Sequence, residues 1–304
     1  MRILVVGAGA TGGYFGARLL QAGRNVTFLV RPGRAETLRK KGLQIRSPHG
    51  DANLNPTMIT ADEIEAPYDV IFLSVKAWSL ADAMNDFAPA VGAHSMILPV
   101  LNGMKHMDQL KARFGSAVIG GVCRVATDLG ADGSIVQLMP FHELAYGELN
   151  GESSERIQAL DSVMQGSGFD AKLSTEITRL MWEKWALLAT MGAATCLMRG
   201  NIGQIASAPN GESFMINLFD EVVGTIERVG CKLSDGFLQY ARGMLTQKDL
   251  NMNSSMNRDL EKGSRIEHDQ IIDDLIARAR KAGLPVPLLT LASTALSIYD
   301  GKRS

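Results

Sequence analysis

The 304-residue sequence predicts an α/β fold, with a doubly wound parallel sheet in an N-terminal domain and an all-helical C-terminal domain after it. Three observations carry this. The chain opens on an apolar strand and a glycine-punctuated turn. Apolar strands then alternate with helical stretches to about residue 130. From Glu176 onward no convincing strand is visible.

Taken in order, residues 2–6 are an apolar, β-branched run of the kind that fills a strand buried on both faces. The turn Gly7-Ala8-Gly9-Ala10-Thr11-Gly12 follows, and a helix opening near Thr11 runs to Ala22 and closes at Gly23. A second strand ends at Leu29-Val30-Arg31, a short helix spans 34–41, and 43–59 reads as a strand pair around Pro48-His49-Gly50-Asp51. Buried strands are expected at 69–76, 95–101 and 117–125, with a helix reaching Phe87 between the first two. Residues 134–139 and 143–149 read as two extended segments, and 152–166 as an amphipathic helix. Helices then follow at 176–198, 210–230, 234–248, 267–282 and about 287–300, the fourth capped by Gly283 ahead of Pro285 and Pro287. The domains are therefore set at 1–172 and 173–304.

The glycine spacing has a physical reading. G-x-G-x-x-G between a strand and a helix gives a tight turn, close approach to a pyrophosphate, and close packing of helix on strand. The helix start offers free N–H groups and a positive dipole end to the same anion. Gly7, Ala8, Gly9, Ala10, Thr11 and Gly12 are thus candidate dinucleotide contacts in a Rossmann-type domain. The second strand ends without the acid that would hold a ribose 2′-hydroxyl. Arg31 stands there instead, with Arg34 as a second contact, which points to NADP.

Composition narrows the remaining classes. The formal net charge of −1 gives no electrostatic case for nucleic acid or an anionic membrane surface. No apolar run reaches the ~18 residues of a membrane span. The sequence enters a strand at once, so no leader is expected, and Cys123, Cys196 and Cys231 are odd in number and far apart. Both features point to a reducing cytoplasm rather than a disulfide framework. His49, His94, His106, His142 and His268 lack metal-ligand spacing, so no metal is expected. The apolar helices around 185–226 fit a homodimer seam and a buried core equally well.

Ligands of open α/β sheets sit beyond the carboxyl ends of the strands. Lys76, in Ser74-Val75-Lys76, is placed there to meet cofactor phosphate or substrate, or is a solvated loop lysine. Asn102, in Asn102-Gly103, is placed to orient the nicotinamide ribose or the substrate, or belongs to an ordinary turn. Lys184 interrupts a mostly apolar helix, where a lysine either snorkels outward or is desolvated into a proton donor. Ser255 and Glu267 flank a short helix, and the plain readings are a helix cap and a first-turn acid.

Together these pieces resemble the ketopantoate reductase (2-dehydropantoate 2-reductase) family. The resemblance rests on the glycine turn with Arg31, Ser74-Val75-Lys76, Leu101-Asn102-Gly103, Trp182-x-Lys184, Ser254-Ser255-Met256, Ile266-Glu267 and Ala282-Gly283-Leu284-Pro285-Val286-Pro287. It implies an NADP-binding domain and a helical domain with the active site in the cleft between them, and NADPH-dependent reduction of a small 2-oxo acid. By the same likeness Lys184 is the general acid and Glu267 hydrogen-bonds the new hydroxyl. Ser255 contacts the substrate carboxylate, Asn102 lies near nicotinamide and substrate, and Lys76 lies on the cofactor side. The sequence departs from that pattern where Leu188, Gly192 and Met252 replace expected asparagines, which leaves the identity of the 2-oxo acid open. A 3-hydroxy-acid or opine-type dehydrogenase and a non-catalytic NADPH sensor are the alternatives.

Overall fold

The computed structural model describes residues 1–303. The chain divides into two compact units, Met1–Leu101 with His106–Thr178, and Asn102–Lys105 with Arg179–Ser304.

The first unit is built on strand β1 (Arg2–Val6), whose last four residues are buried. Helix α1 (Ala10–Gln21) leads to β2 (Asn25–Leu29), and α2 (Pro32–Lys41) starts on a proline suited to a first helical position. Then come β3 (Leu43–Arg46), β4 (Ala52–Leu54), β5 (Thr57–Ile59), β6 (Tyr68–Leu73), α3 (Leu80–Phe87) and β7 (Val91–Pro99). The main sheet is parallel throughout, in the order β5-β2-β1-β6-β7. Strand order reverses at β1, so the turn after β1 lies at the switch point where such sheets bind ligands.

The expected pair at 43–59 is real as the antiparallel β3–β4, but the stretch divides between two sheets, because β5 leaves to pair with β2. Helix α4 (Lys105–Phe114), which the sequence reading left unassigned, buries His106, Met107 and Leu110. The strand expected at 117–125 begins later, as β8 (Gly120–Leu129), after a single bridge from Val118 to Ile97. The two extended segments at 134–149 are one strand, β9 (Ile135–Gly147), paired with β8 at both ends. Between the paired ends Leu138, Met139 and Phe141 are exposed. Helix α5 (Glu155–Met164) and β10 (Asp170–Leu173) close the second sheet, ordered β10-β9-β3-β4 with β8 on the far side of β9.

The helical stretch is α6 (Ile177–Met198), α7 (Ile202–Ser207), α8 (Gly211–Val229), α9 (Asp235–Leu245), α10 (Ser255–Glu261), α11 (Asp274–Lys281) and α12 (Pro287–Arg303). Helix α7 escaped the sequence reading because, at six residues, it is under two turns long. The helix expected at 267–282 is not regular, since Asp269–Asp273 form a π-turn ahead of α11. Buried Glu183 of α6 accepts from the Ser234 amide and hydroxyl at the start of α9. Glu221 of α8 accepts from the Leu288 and Leu289 amides, which are orphan donors of the first turn of α12. No helix among the described residues is long and apolar enough to cross a membrane.

Candidate functional site

In the first unit the glycine turn is shaped by contact rather than by choice. Gly7 has φ +100°, and a Cβ there would overlap the Ser74 carbonyl oxygen. A Cβ at Gly12 would overlap the Gly7 carbonyl oxygen. Gly9 differs, because nothing lies within 4 Å of where its Cβ would be. Two glycines therefore close the turn, and the middle one leaves open space over the backbone. Helix α1 starts from Gly9 with no side-chain cap and no acid in its first turn, so its leading N–H groups face no built-in anion. This donor set fits a dinucleotide pyrophosphate.

Arg34 braces the turn from α2, its Nε donating to the Ala8 carbonyl at 3.1 Å. Its buried Nη2 has no hydrogen-bond partner among the described residues. Arg31, at the end of the second strand, is exposed and pairs with Asp82 of α3 at 3.3 Å. Lys76 is exposed, with its ammonium 5.7 Å from the Trp78 ring centroid. Neither Asp82 nor the brace on Ala8 was anticipated, since both depend on contacts between separate elements.

Asn102, Lys184, Ser255 and Glu267 all belong to the second unit. Lys184 is half-buried on α6, and Leu188 and Gly192 follow it at i+4 and i+8 on one helical face. Gly192 abuts α10, where a Cβ would lie 2.7 Å from the Met256 methyl carbon. Three residues further along, the Thr195 hydroxyl is 2.7 Å from that of Ser254. Ser254, not Ser255, caps α10, accepting from the Asn257 amide at 3.0 Å. Ser255 is thereby left exposed as the first residue of the helix.

Glu267 is half-buried two residues ahead of the π-turn. Side-chain bonds to other elements hold that turn. The Trp185 indole N–H, next to Lys184, donates to the Ile271 carbonyl at 2.8 Å. The Gln270 amide donates to the Asn102 carbonyl at 3.0 Å. At its end Asp273 accepts from Ser293 at 2.6 Å and lies 3.0 Å from His268 Nδ1. Met252 is half-buried, and neighbouring Asn251 accepts from Asn201 at the start of α7. Among the described residues no group of three or more His, Cys, Asp or Glu is placed to hold a metal.

Two family models cover this chain: Ketopantoate reductase PanE/ApbA over residues 3–151, and Ketopantoate reductase PanE/ApbA C terminal over residues 176–300. The uncharacterized oxidoreductase YkpB of Bacillus subtilis (strain 168) is 34% identical over 304 residues, covering 100% of both chains. The crystal structure of 2-dehydropantoate 2-reductase from Geobacter metallireducens GS-15 matches with TM-score 0.87 at 25% identity, covering 98% of this chain and 99% of that one. A ternary structure of D-mandelate dehydrogenase with NADH and anilino(oxo)acetate shares the fold, with TM-score 0.87 at 19% identity over 100% of this chain and 99% of that one. The two-part match, N-terminal and C-terminal, follows the order of motifs along the sequence, and the chain belongs to the ketopantoate reductase family.

Proposed function

We propose that this chain reduces a 2-oxo acid to the 2-hydroxy acid with NADPH, either 2-dehydropantoate to pantoate, as in pantothenate biosynthesis, or a related 2-oxo acid. The observation that carries the reading is a single chain holding both halves of the chemistry. It has an anion-ready turn open over Gly9, and a half-buried lysine on a largely apolar helix. Bound NADPH supplies the hydride. The amides around Gly9 and the start of α1 hold the pyrophosphate, Arg31 meets the 2′-phosphate, and Lys76 and Asn102 help to orient cofactor and substrate. Lys184 stabilises the charge that develops on the carbonyl oxygen and delivers a proton to it. Glu267 accepts a hydrogen bond from the resulting hydroxyl, and Ser255 donates to the substrate carboxylate. Leu188, Gly192 and Met252 offer little to hydrogen-bond a distal hydroxyl, so substrates without one are included from the start.

The test is the purified protein with a panel of 2-oxo acids, 3-oxo acids and amino acid/oxo acid mixtures, followed by loss of reduced-nicotinamide absorbance. NADPH turnover on 2-oxo acids is expected. Turnover confined to the other classes would move the assignment to a 3-hydroxy-acid or opine-type dehydrogenase. Tight NADPH binding without turnover would leave a sensor. The Arg31–Asp82 pair gives NADH a place in the panel, because an acid beside Arg31 competes with a 2′-phosphate for it.

A further inference from the structure

We propose that Gln270, on the π-turn after Glu267, is a positioning residue for Asn102, and that this turn sets Asn102 in register with the segment carrying Glu267. The inference rests on the functional reading above for the role of Asn102 itself. A π-turn inserts one residue into a helix, and short ones recur at functional sites because regular geometry would not aim the same side chains. One inserted residue re-aims everything before it by roughly 100° relative to the helix that follows. In this chain the residues ahead of the insertion are Ile266, Glu267 and His268, and Gln270 lies within it.

The turn is fixed on several sides. Gln270 is 4% exposed, and its side-chain amide donates to the Asn102 carbonyl at 3.0 Å. Its own carbonyl oxygen lies 2.5 Å from where a Cβ on Gly103 would stand. Gly103 holds φ +78°, so no other residue could follow Asn102 in this conformation without strain. Gln270 thus bonds the Asn102-Gly103 turn through its side chain, and its backbone carbonyl lies close against Gly103. One residue later the Ile271 carbonyl accepts the indole N–H of Trp185, the neighbour of Lys184. Two residues later Asp273 is held by His268 and Ser293. Ile271 and Ile272 are buried, so the segment cannot slide without exposing apolar surface. One short stretch therefore ties the chain beside Lys184 and the Asn102-Gly103 turn to the segment that carries Glu267. A misplacement of about 1 Å in such a group lowers turnover by up to ~10²-fold.

The decisive variants are Gln270→Met, which keeps length and removes the donor, and Gln270→Glu, which donates only when protonated. Each is compared with wild type and with Asn102→Ala in kcat, KM, thermal midpoint and hydrogen exchange of the peptide spanning residues 100–106. Glu267, His268, Asp269 and Asp273 share this segment and Lys105 follows the Asn102 turn, so every pH profile is divided by the wild-type profile. Gln270→Met is expected to lower kcat/KM about 10- to 100-fold, with faster exchange at 100–106. Gln270→Glu is expected to be as poor at pH 7.5 and to recover severalfold relative to wild type toward pH 5.5. That recovery is absent from Gln270→Met.

Turnover of Gln270→Met within twofold of wild type, while Asn102→Ala is impaired, overturns the positioning role and leaves the site intact. An unimpaired Asn102→Ala overturns the functional reading of Asn102 itself, and this inference with it. Should Gln270→Met not fold, the normalised pH profile of Gln270→Glu decides alone. A rise toward low pH sustains the role, and a flat ratio removes it.

Discussion

The glycine turn of the first unit and the Lys184 helix of the second hold their groups by opposite means. The turn is made of backbone, and its shape depends on atoms that are missing at Gly7 and Gly12. The candidate site of the helical unit is made of side chains, beside bonds such as Trp185 to Ile271 and Gln270 to Asn102. One region therefore fails when atoms are added, the other when they are taken away. The first should lose cofactor affinity before it loses chemistry, and the second the reverse.

The sharpest way to break this contrast is Lys184→Ala. It should lower kcat ~10²-fold or more, the effect of a lost general acid, while NADPH affinity measured by fluorescence titration stays near wild type. Near-normal kcat would remove Lys184 from its role. Gly7→Ala approaches the same contrast from the other side. An added methyl at φ +100°, against the Ser74 carbonyl, should destabilise the protein by about 1–3 kcal/mol and weaken NADPH binding in thermal melts with and without cofactor. Arg31→Ala should raise KM for NADPH about tenfold, one charge-assisted contact's worth, and leave KM for NADH unchanged. Equal effects on both cofactors would show that Arg31 does not meet a 2′-phosphate.

Two smaller effects probe the stability of the helical frame. Glu221→Gln weakens the acceptor for the Leu288 and Leu289 amides and should lower stability by about 1 kcal/mol, with kcat unchanged. The smallest concerns His268, whose pKa is raised by its hydrogen bond to Asp273 against the opposing effect of burial. A raised value in the folded state means the stabilisation is complete below the unfolded pKa, about 6.5, and fades as pH rises through the folded value. For Asp273, burial alone would raise the carboxyl, but the hydrogen bonds from His268 and Ser293 hold it below its ordinary range. That share is lost only when pH falls through the lowered value. The stability difference between wild type and His268→Asn, followed by thermal melts, should therefore be widest near pH 5–6, at about 1 kcal/mol or less, and narrow toward pH 9.

The same contrast explains what the sequence made legible. Gly7, Gly9 and Gly12 lie within six residues of one another, so the tight turn they make could be read from spacing, and the parallel sheet followed from the apolar runs around them. Asp82 beside Arg31, and Arg34 on Ala8, needed α3 and α2 to be placed first. In the helical unit the determining pairs are far apart in the chain, with Thr195 meeting Ser254 and Asn102 meeting Gln270. Periodicity marked 267–282 as one helix, because the insertion sits at the start of that stretch and the regular apolar stripe of α11 after it dominates the pattern. Strand β9 was read as two segments for a related reason. Its exposed middle, Leu138 to Phe141 around Pro140, breaks the alternation that its paired ends keep.

The grip of Arg34 on Ala8 has a kinetic consequence. A loop already ordered by its own scaffold has no search to complete when an anion arrives. Dinucleotide association should then be a single-phase encounter, with an observed rate that climbs linearly with concentration and does not level off. Loosening that guanidinium with Arg34→Met would introduce a plateau, the sign of a loop that must first find its shape.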